Sequence, residues 1–370
     1  MFAKLGHAVA RRAKALLLLS IVLVITFGAV GSQVFTRFDS GGYSNPNSDS
    51  AKVWDYLKDT FNVKDPAVVV VVQTKTGTVD DQTVAEQAAK LELQLKSESS
   101  AEKTLSYWSS GRIPSLKSKD QTAAYIFVYL KSTDFTDVDQ LGGYYQKKYE
   151  GNFENLKVRT SGGAVFSHSI NSRIQDDLKI SEAISIPLTF LMLLIVFGAL
   201  IASAMPLVIG VTAIMGTFFL LYLLTLVTDV SVFALNLTTG LGLGLGIDYA
   251  LLIVNRFREE LHNGVNREQA LVNTLSTAGK TVFYSGITVM LTLISLTFFP
   301  MNFLKSMGYS GTIVVGTAVI GALIPLPAVL MLLGNKVDKY VVRKGAIVPK
   351  LDGGWAKIAR FVMRRPIPVV

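Results

Sequence analysis

Apolar and polar positions follow two different rhythms along this chain. Six stretches are almost continuously apolar: 16–35, 183–202, 207–227, 232–254, 282–299 and 312–333. Each is near the roughly 20 residues that a helix needs to cross a hydrocarbon core, so six membrane-spanning helices are expected. Pro206 and the Pro300 region are read as helix ends, since proline removes a donor and crowds the preceding turn. Between the first two spans the pattern shortens. Ala67-Val-Val-Val-Val-Val-Gln73, Leu105-Ser-Tyr-Trp108, Ala123-Ala-Tyr-Ile-Phe-Val-Tyr-Leu130 and Leu156-Lys-Val-Arg-Thr160 read as strands, with helical stretches at 80–96 and 134–149. The order β-α-β-β-α-β predicts a split βαβ sandwich of ferredoxin type. The expected fold is thus an α-helical polytopic membrane protein carrying one α+β domain. Its parts are 1–35 (N-terminus and first span), 36–182 (the α+β domain), 183–335 (five further spans) and 336–370 (a polar linker).

Charge supplies the orientation. With the N-terminus in the cytoplasm, the inside segments hold 17 basic and five acidic residues, whereas 36–182 holds 18 basic and 20 acidic. Basic residues flanking spans on one side are the positive-inside signature. The net charge of +9 is therefore membrane topology, not a nucleic-acid surface, and 36–182 is placed outside the cytoplasmic membrane. Half the residues are apolar and mean hydropathy is +0.42, in keeping with a multi-pass protein. The first span could also be a signal peptide cleaved near Ala29-Val30-Gly31, but its apolar run is longer than a signal core. No cysteine is present and His7, His168 and His262 share no ligand spacing, so neither a metal site nor a cofactor is expected.

Residues 2–16 and 355–369 align. Ala3/Ala356, Lys4/Lys357, Val9/Val362, Arg11/Arg364 and Arg12/Arg365 are identical, and Phe2/Trp355 and Leu5/Ile358 are similar. Chance likeness of two basic amphipathic segments is the plain alternative. Duplication is the favoured one, since transporters are often built from repeats with the site between them. It predicts a seventh span and a second half beyond residue 370.

The fourth span holds the chemistry: Gly240-Leu-Gly-Leu-Gly-Leu-Gly-Ile-Asp-Tyr249. Glycine at every second residue of an apolar span does not fit a dinucleotide loop. Gly240/Gly244 and Gly242/Gly246 instead form two overlapping small-xxx-small pairs that allow close helix packing. Asp248 lies about 10 Å inside the span's cytoplasmic end at 1.5 Å per residue. A carboxylate at that depth is costly and is expected to face the protein interior. Gly244, Asp248 and Asn255 fall near one helical face, and no Lys or Arg lies inside the six spans to pair with the acid. Burial without a cation favours the protonated form, which would let Asp248 take and release protons near neutral pH. A structural, permanently protonated Asp is the alternative. Tyr249 lies about 100° round the helix from Asp248 and would serve a different helix. Ser285 and Thr288 in the fifth span are candidate partners, unless they bond only their own backbone.

The stretch Gly242-Leu-Gly-Leu-Gly-Ile-Asp-Tyr-Ala-Leu-Leu-Ile-Val-Asn-Arg-Phe-Arg-Glu-Glu-Leu261 resembles the fourth helix of MMPL-type transporters of the resistance–nodulation–division superfamily. Ser161-Gly-Gly163, Glu182-Ala-Ile-Ser-Ile-Pro-Leu188, Thr277-Ala-Gly-Lys-Thr-Val-Phe-Tyr-Ser-Gly286 and Phe299-Pro-Met-Asn-Phe-Leu-Lys-Ser-Met-Gly308 are similar too. The resemblance implies proton-driven export of lipids or other hydrophobic compounds through an external porter domain. It also implies an Asp-Tyr pair in each half, each Asp bonding the opposite Tyr, with Asp248 and Tyr249 as the pair here. The partners implied are protons, membrane lipids, a lipid or hydrophobic small-molecule substrate, and a second half or another copy of the chain. The alternative function is a sensor, scaffold or secretion accessory using the same helices. An enzyme is not expected, since Ser167-His168-Ser169 has no accompanying carboxylate or oxyanion motif.

Overall fold

The computed structural model describes residues 1–38, 42, 45–61, 63–132, 135–342 and 354–364. Helix α1 (Phe2–Gly31) is continuous through the first apolar run, with one kink at Arg12, and ends in a 3₁₀ turn at Ser32–Thr36. A short helix, α2 (Asp49–Phe61), which the apolar pattern does not announce, leads into the α+β domain.

That domain runs β1 (Val68–Thr74), α3 (Gln82–Ser97), β2 (Ala101–Ser106), β3 (Ala123–Leu130), α4 (Phe135–Tyr149), β4 (Gly151–Phe153) and β5 (Leu156–Ser161). The sheet order is β2-β3-β1-β5-β4 and every pairing is antiparallel. This is the expected split βαβ sandwich with one added edge strand, β4. Val68, Val70 and Val72 point into the core at the strand period of two, and Val71 opposes Tyr125 and Arg159 at the partner strands. Val84, Ala88, Leu91 and Leu95 of α3 recur at helical spacing and cover them. The second strand begins four residues earlier than expected and ends at Ser106, where Tyr107 and Trp108 leave the sheet: the Tyr107 hydroxyl donates to Asp80 and the Trp108 indole N–H donates to the Val79 carbonyl at 2.9 Å.

Six helices are long and apolar enough to cross a membrane. Besides α1 they are α5 (Gly163–Phe197), α6 (Leu200–Leu224) and α7 (Phe233–His262). The fifth combines α8 (Arg267–Thr274), a π turn at Leu275–Gly279 and α9 (Lys280–Ile294). The sixth combines α10 (Asn302–Leu323) and α11 (Pro325–Leu333), broken at Ile324 before Pro325. Helices α6, α7 and α10 form the centre, with α1 along α6, α8 and α11, and α9 against α10.

Two boundaries differ from expectation. The second span stops at Phe197, not at 202, because Gly198 turns into the left-handed region (φ 68°) that ends helices and favours a residue without Cβ. The third begins at Leu200, so Pro206 lies inside it and marks no end. Within a bilayer a helix tolerates proline when its neighbours shield the freed carbonyl, and Pro206 is buried in the bundle.

The two repeat copies are both helical. The first opens α1, where Val9 and Ala13 are buried against α8 and α11. The second is α12 (Gly354–Arg364), while 365–369 lies outside the described residues.

Candidate functional site

Helix α7 is a ruler for the site. Its buried stripe contains Gly242, Gly246, Tyr249, Ala250, Ile253, Val254 and Phe257. Gly246 faces α6 so closely that an added Cβ would stand 2.7 Å from the Gly210 Cα, and one on Gly242 would meet Ile214 at 2.6 Å. Between helices in lipid, such contact is a major source of association, because the apolar surroundings give no burial drive. The other glycine pair is different. Gly240 and Gly244 meet nothing within 4 Å, and they share an exposed face with Asn236, Asp248 and Asn255.

Asp248 is therefore exposed on the outside of the six-helix bundle and does not face its interior. No hydrogen bond or ion pair to it occurs among the described residues. The physical reason is rotational: α7 already spends its opposite side on α6 and α10, and these six helices bring nothing to cover the Asp248 side.

Tyr249 points the other way and is 3 % exposed. Its hydroxyl is buried without a hydrogen-bond partner, and Ser285 of α9 lies beside it without reaching ordinary hydrogen-bond geometry. A Cβ on nearby Gly286 would stand in ordinary contact with the hydroxyl, at 3.7 Å, and would collide with Val319 of α10. Thr288 is not joined to Asp248 or Tyr249. It is exposed, and its hydroxyl donates to the Tyr284 carbonyl one turn back at 3.0 Å. Thr281 and Thr292 bond back along α9 in the same way, giving that helix a hydroxyl-rich outer face.

A charged cluster at the end of α7 escaped sequence reasoning. Arg258 is only 4 % exposed; its Nε donates to Asp338 at 2.6 Å and a terminal amine donates to the Phe197 carbonyl at 3.0 Å. One guanidinium thus joins the ends of α5 and α7 to the 3₁₀ turn Gly334–Asp338 after α11. Backbone bonds reinforce the joint: Val342 N–H donates to the Gly198 carbonyl at 2.8 Å and Leu200 N–H to the Tyr340 carbonyl at 3.2 Å. Glu260, also buried, accepts from Arg256 and from Asn273. Helical spacing held the signal, because Gly246, Ala250, Val254 and Arg258 recur every fourth residue on the buried stripe. Among the described residues, no group of His, Cys, Asp or Glu could hold a metal ion.

Comparison with known proteins gives this arrangement its context. A family model described as "MMPL family" matches residues 42–369. Putative membrane protein SCO6666 of Streptomyces coelicolor is 32% identical over 386 residues, covering 100% of this chain and 52% of that protein. The trehalose monomycolate exporter MmpL3 of Mycobacterium tuberculosis is 28% identical over 403 residues, covering 99% of this chain and 42% of the exporter. The chain thus spans about half the length of these relatives. A cryo-EM structure of the hedgehog release protein Disp from water bear shares the fold, with a TM-score of 0.55 at 11% identity over 98% of this chain and 53% of that one. Six apolar helices and a family match over most of the sequence agree: this is a multi-pass membrane protein that belongs to the MMPL family.

Proposed function

We propose that this chain forms one half of a proton-driven exporter of lipids or other hydrophobic compounds, with Asp248 as the proton carrier. The observation that carries the reading is the face of α7 on which Gly240, Gly244 and Asp248 stand in line, uncovered and without a cation. Two small residues one turn apart invite another helix, and that helix would remove the carboxylate from water. A carboxylate removed from water inside a span is costly to keep charged, which suits a proton carrier. The helix comes from a second half or a second copy, and a tyrosine on it would meet Asp248. Tyr249, buried on the other side of α7 with its hydroxyl unpartnered, would have to turn out of the bundle to meet an acid there. Relatives named as lipid exporters support the substrate class. The charge distribution supports a cytoplasmic N-terminus and an external α+β domain, acting as porter domain in the cell membrane.

The test is surface-lipid and drug-sensitivity profiling of a deletion strain complemented with the full-length protein or with Asp248→Asn. The expected result is a lipid trapped inside the deletion strain and no rescue by the Asn variant. A change in drug tolerance alone would move the substrate class and keep the pump. Full rescue by Asn would make Asp248 structural and favour the sensor or scaffold reading.

A further inference from the structure

Helix α1 is the most loosely held of the six spans. Its buried residues are Gly6, Val9, Ala13 and Gly31, so none falls between positions 14 and 30. Along that stretch a groove of about 410 Å³ separates it from the bundle, walled by Leu19, Leu23 and Phe27 of α1, Leu220 of α6, and Ile320 and Ile324 at the end of α10. Leu19, Leu23, Leu220 and Ile320 are exposed, so the groove opens outward. Three hydroxyls line it, and each is already spent on a helix backbone: Ser20 donates to the Leu16 carbonyl at 2.7 Å, Thr212 to Val208 at 2.7 Å and Thr317 to Ala213 at 3.1 Å. What remains for an occupant is hydrocarbon contact. From Leu16 to Phe27 the groove is about 16 Å long at 1.5 Å per residue. Over that length 410 Å³ is a cross-section of about 25 Å², whereas a helix 10–12 Å across needs about 80–110 Å². A further helix is too thick for it. One extended alkyl chain, about 4–5 Å across by carbon–carbon contact distances, fits.

The N-terminal end of the groove is cationic. Arg12, where α1 kinks, stands one turn before Leu16, with Arg11 and Lys14 beside it, and all three are exposed. Among the described residues, none of the three has an ion pair or a side-chain hydrogen bond. The nearby acids are matched elsewhere: Glu268 faces His7 at 3.3 Å, Glu259 and Glu260 accept from Arg256, and Asp338 accepts from Arg258. The balancing anion has to come from outside the chain, and a guanidinium fork matches phosphate oxygens. We infer that the groove seats a resident anionic phospholipid, with one acyl chain along α1 from Leu16 to Phe27 and its phosphate on Arg12. The bilayer leaflet at the N-terminal end of α1 supplies it. Among the described residues none from α7, which bears Asp248, lines the groove, so the lipid fills the seam between α1 and the bundle and is not cargo. The inference draws nothing from the export reading.

The experiment uses the full-length protein in nanodiscs of equal phosphatidylglycerol and phosphatidylcholine, with a mid-chain diazirine on one lipid or the other. The phosphatidylglycerol probe is expected to label the peptides around Leu23 and Ile320 about tenfold more than the phosphatidylcholine probe. Arg12→Gln brings the two probes level. Arg12→Lys keeps the preference, because the charge remains, and so does Lys4→Gln, two turns nearer the N-terminus. Leu23→Trp, which fills the groove from an exposed position, removes labelling by both probes. If that variant fails to fold, Ile320→Trp on the facing helix gives the same loss. Equal labelling by the two probes in the wild type overturns the site, as does a preference that survives Arg12→Gln or disappears in Lys4→Gln. Undiminished labelling of the Trp variants overturns it too, and no labelling at all would mean that a protein segment covers the groove. Asp248→Asn is expected to label like the wild type whether or not it transports. Loss of labelling in that variant would put the groove on the transport path and overturn a resident lipid.

Discussion

At the scale of single residues, two glycines of one repeat have opposite surroundings. Gly246 is pressed on α6, with the Gly210 Cα where its side chain would be, while Gly244 meets nothing in these six helices. Gly246→Leu should therefore destabilise the bundle by about 1–3 kcal/mol, the usual cost of overpacking. Gly244→Ala, with nothing in this chain to collide with, should not lower its stability. Thermal unfolding of both variants in detergent checks the contrast. Equal losses would mean that Gly244 is already packed. Arg258 makes the second residue-scale case. It is buried and pairs with Asp338, so Arg258→Met strands an acid and the Phe197 carbonyl. Breaking a buried pair by removing one partner costs about 3–5 kcal/mol. A double variant with Asp338→Asn should lose less than the two single losses added together, and strict additivity would deny the coupling.

At the scale of elements, the α+β domain carries its own acid sensitivity. The Lys117 ammonium, followed by the Tyr107 hydroxyl, holds the Asp80 carboxyl below its usual range. Because its pKa is lower folded than unfolded, the stabilisation is present in full above the unfolded value of about 3.9 and is lost as pH falls through the folded one. Asp80→Asn should lower the melting temperature at neutral pH and flatten its dependence on pH below about 4. An unchanged acid profile would move the sensitivity to another group, such as Glu98. That carboxyl is partly desolvated, yet hydrogen bonds from Lys148, Tyr149 and Tyr144 outweigh the desolvation and lower its pKa. The elements were also where sequence reading was strongest. The succession of strands and helices followed from the β-branched run at 67–73 and the helix-like stretch at 80–96, both local patterns. Helix breaks were less legible. Residues 198–202 are as apolar as the helices around them, so only the left-handed Gly198 reveals the corner, and Pro206 looks like a terminus unless the neighbouring helices are known.

At the scale of the molecule, the centre of the bundle hides what a linear pattern cannot resolve. Both glycine pairs on α7 have the same spacing, and which one faces inward depends on Gly210, far back in the chain. Arg258 reads as a flanking cation until the buried stripe of α7 is seen to run through it. That Asp248 lies open and Tyr249 closed was not legible in the sequence.

Helix α5 continues without interruption from the last strand of the α+β domain to the far side of the membrane-spanning bundle, 35 residues in all. At 1.5 Å per residue it is a rod of about 52 Å. Such a rod acts as a lever arm: pivoted at Phe197, where Arg258 grips the backbone, a swing of about 5° carries the other end sideways by about 4–5 Å. A pair of glycines inserted midway along that shaft should act as a slipping clutch, leaving each end folded and cutting the mechanical gain between them.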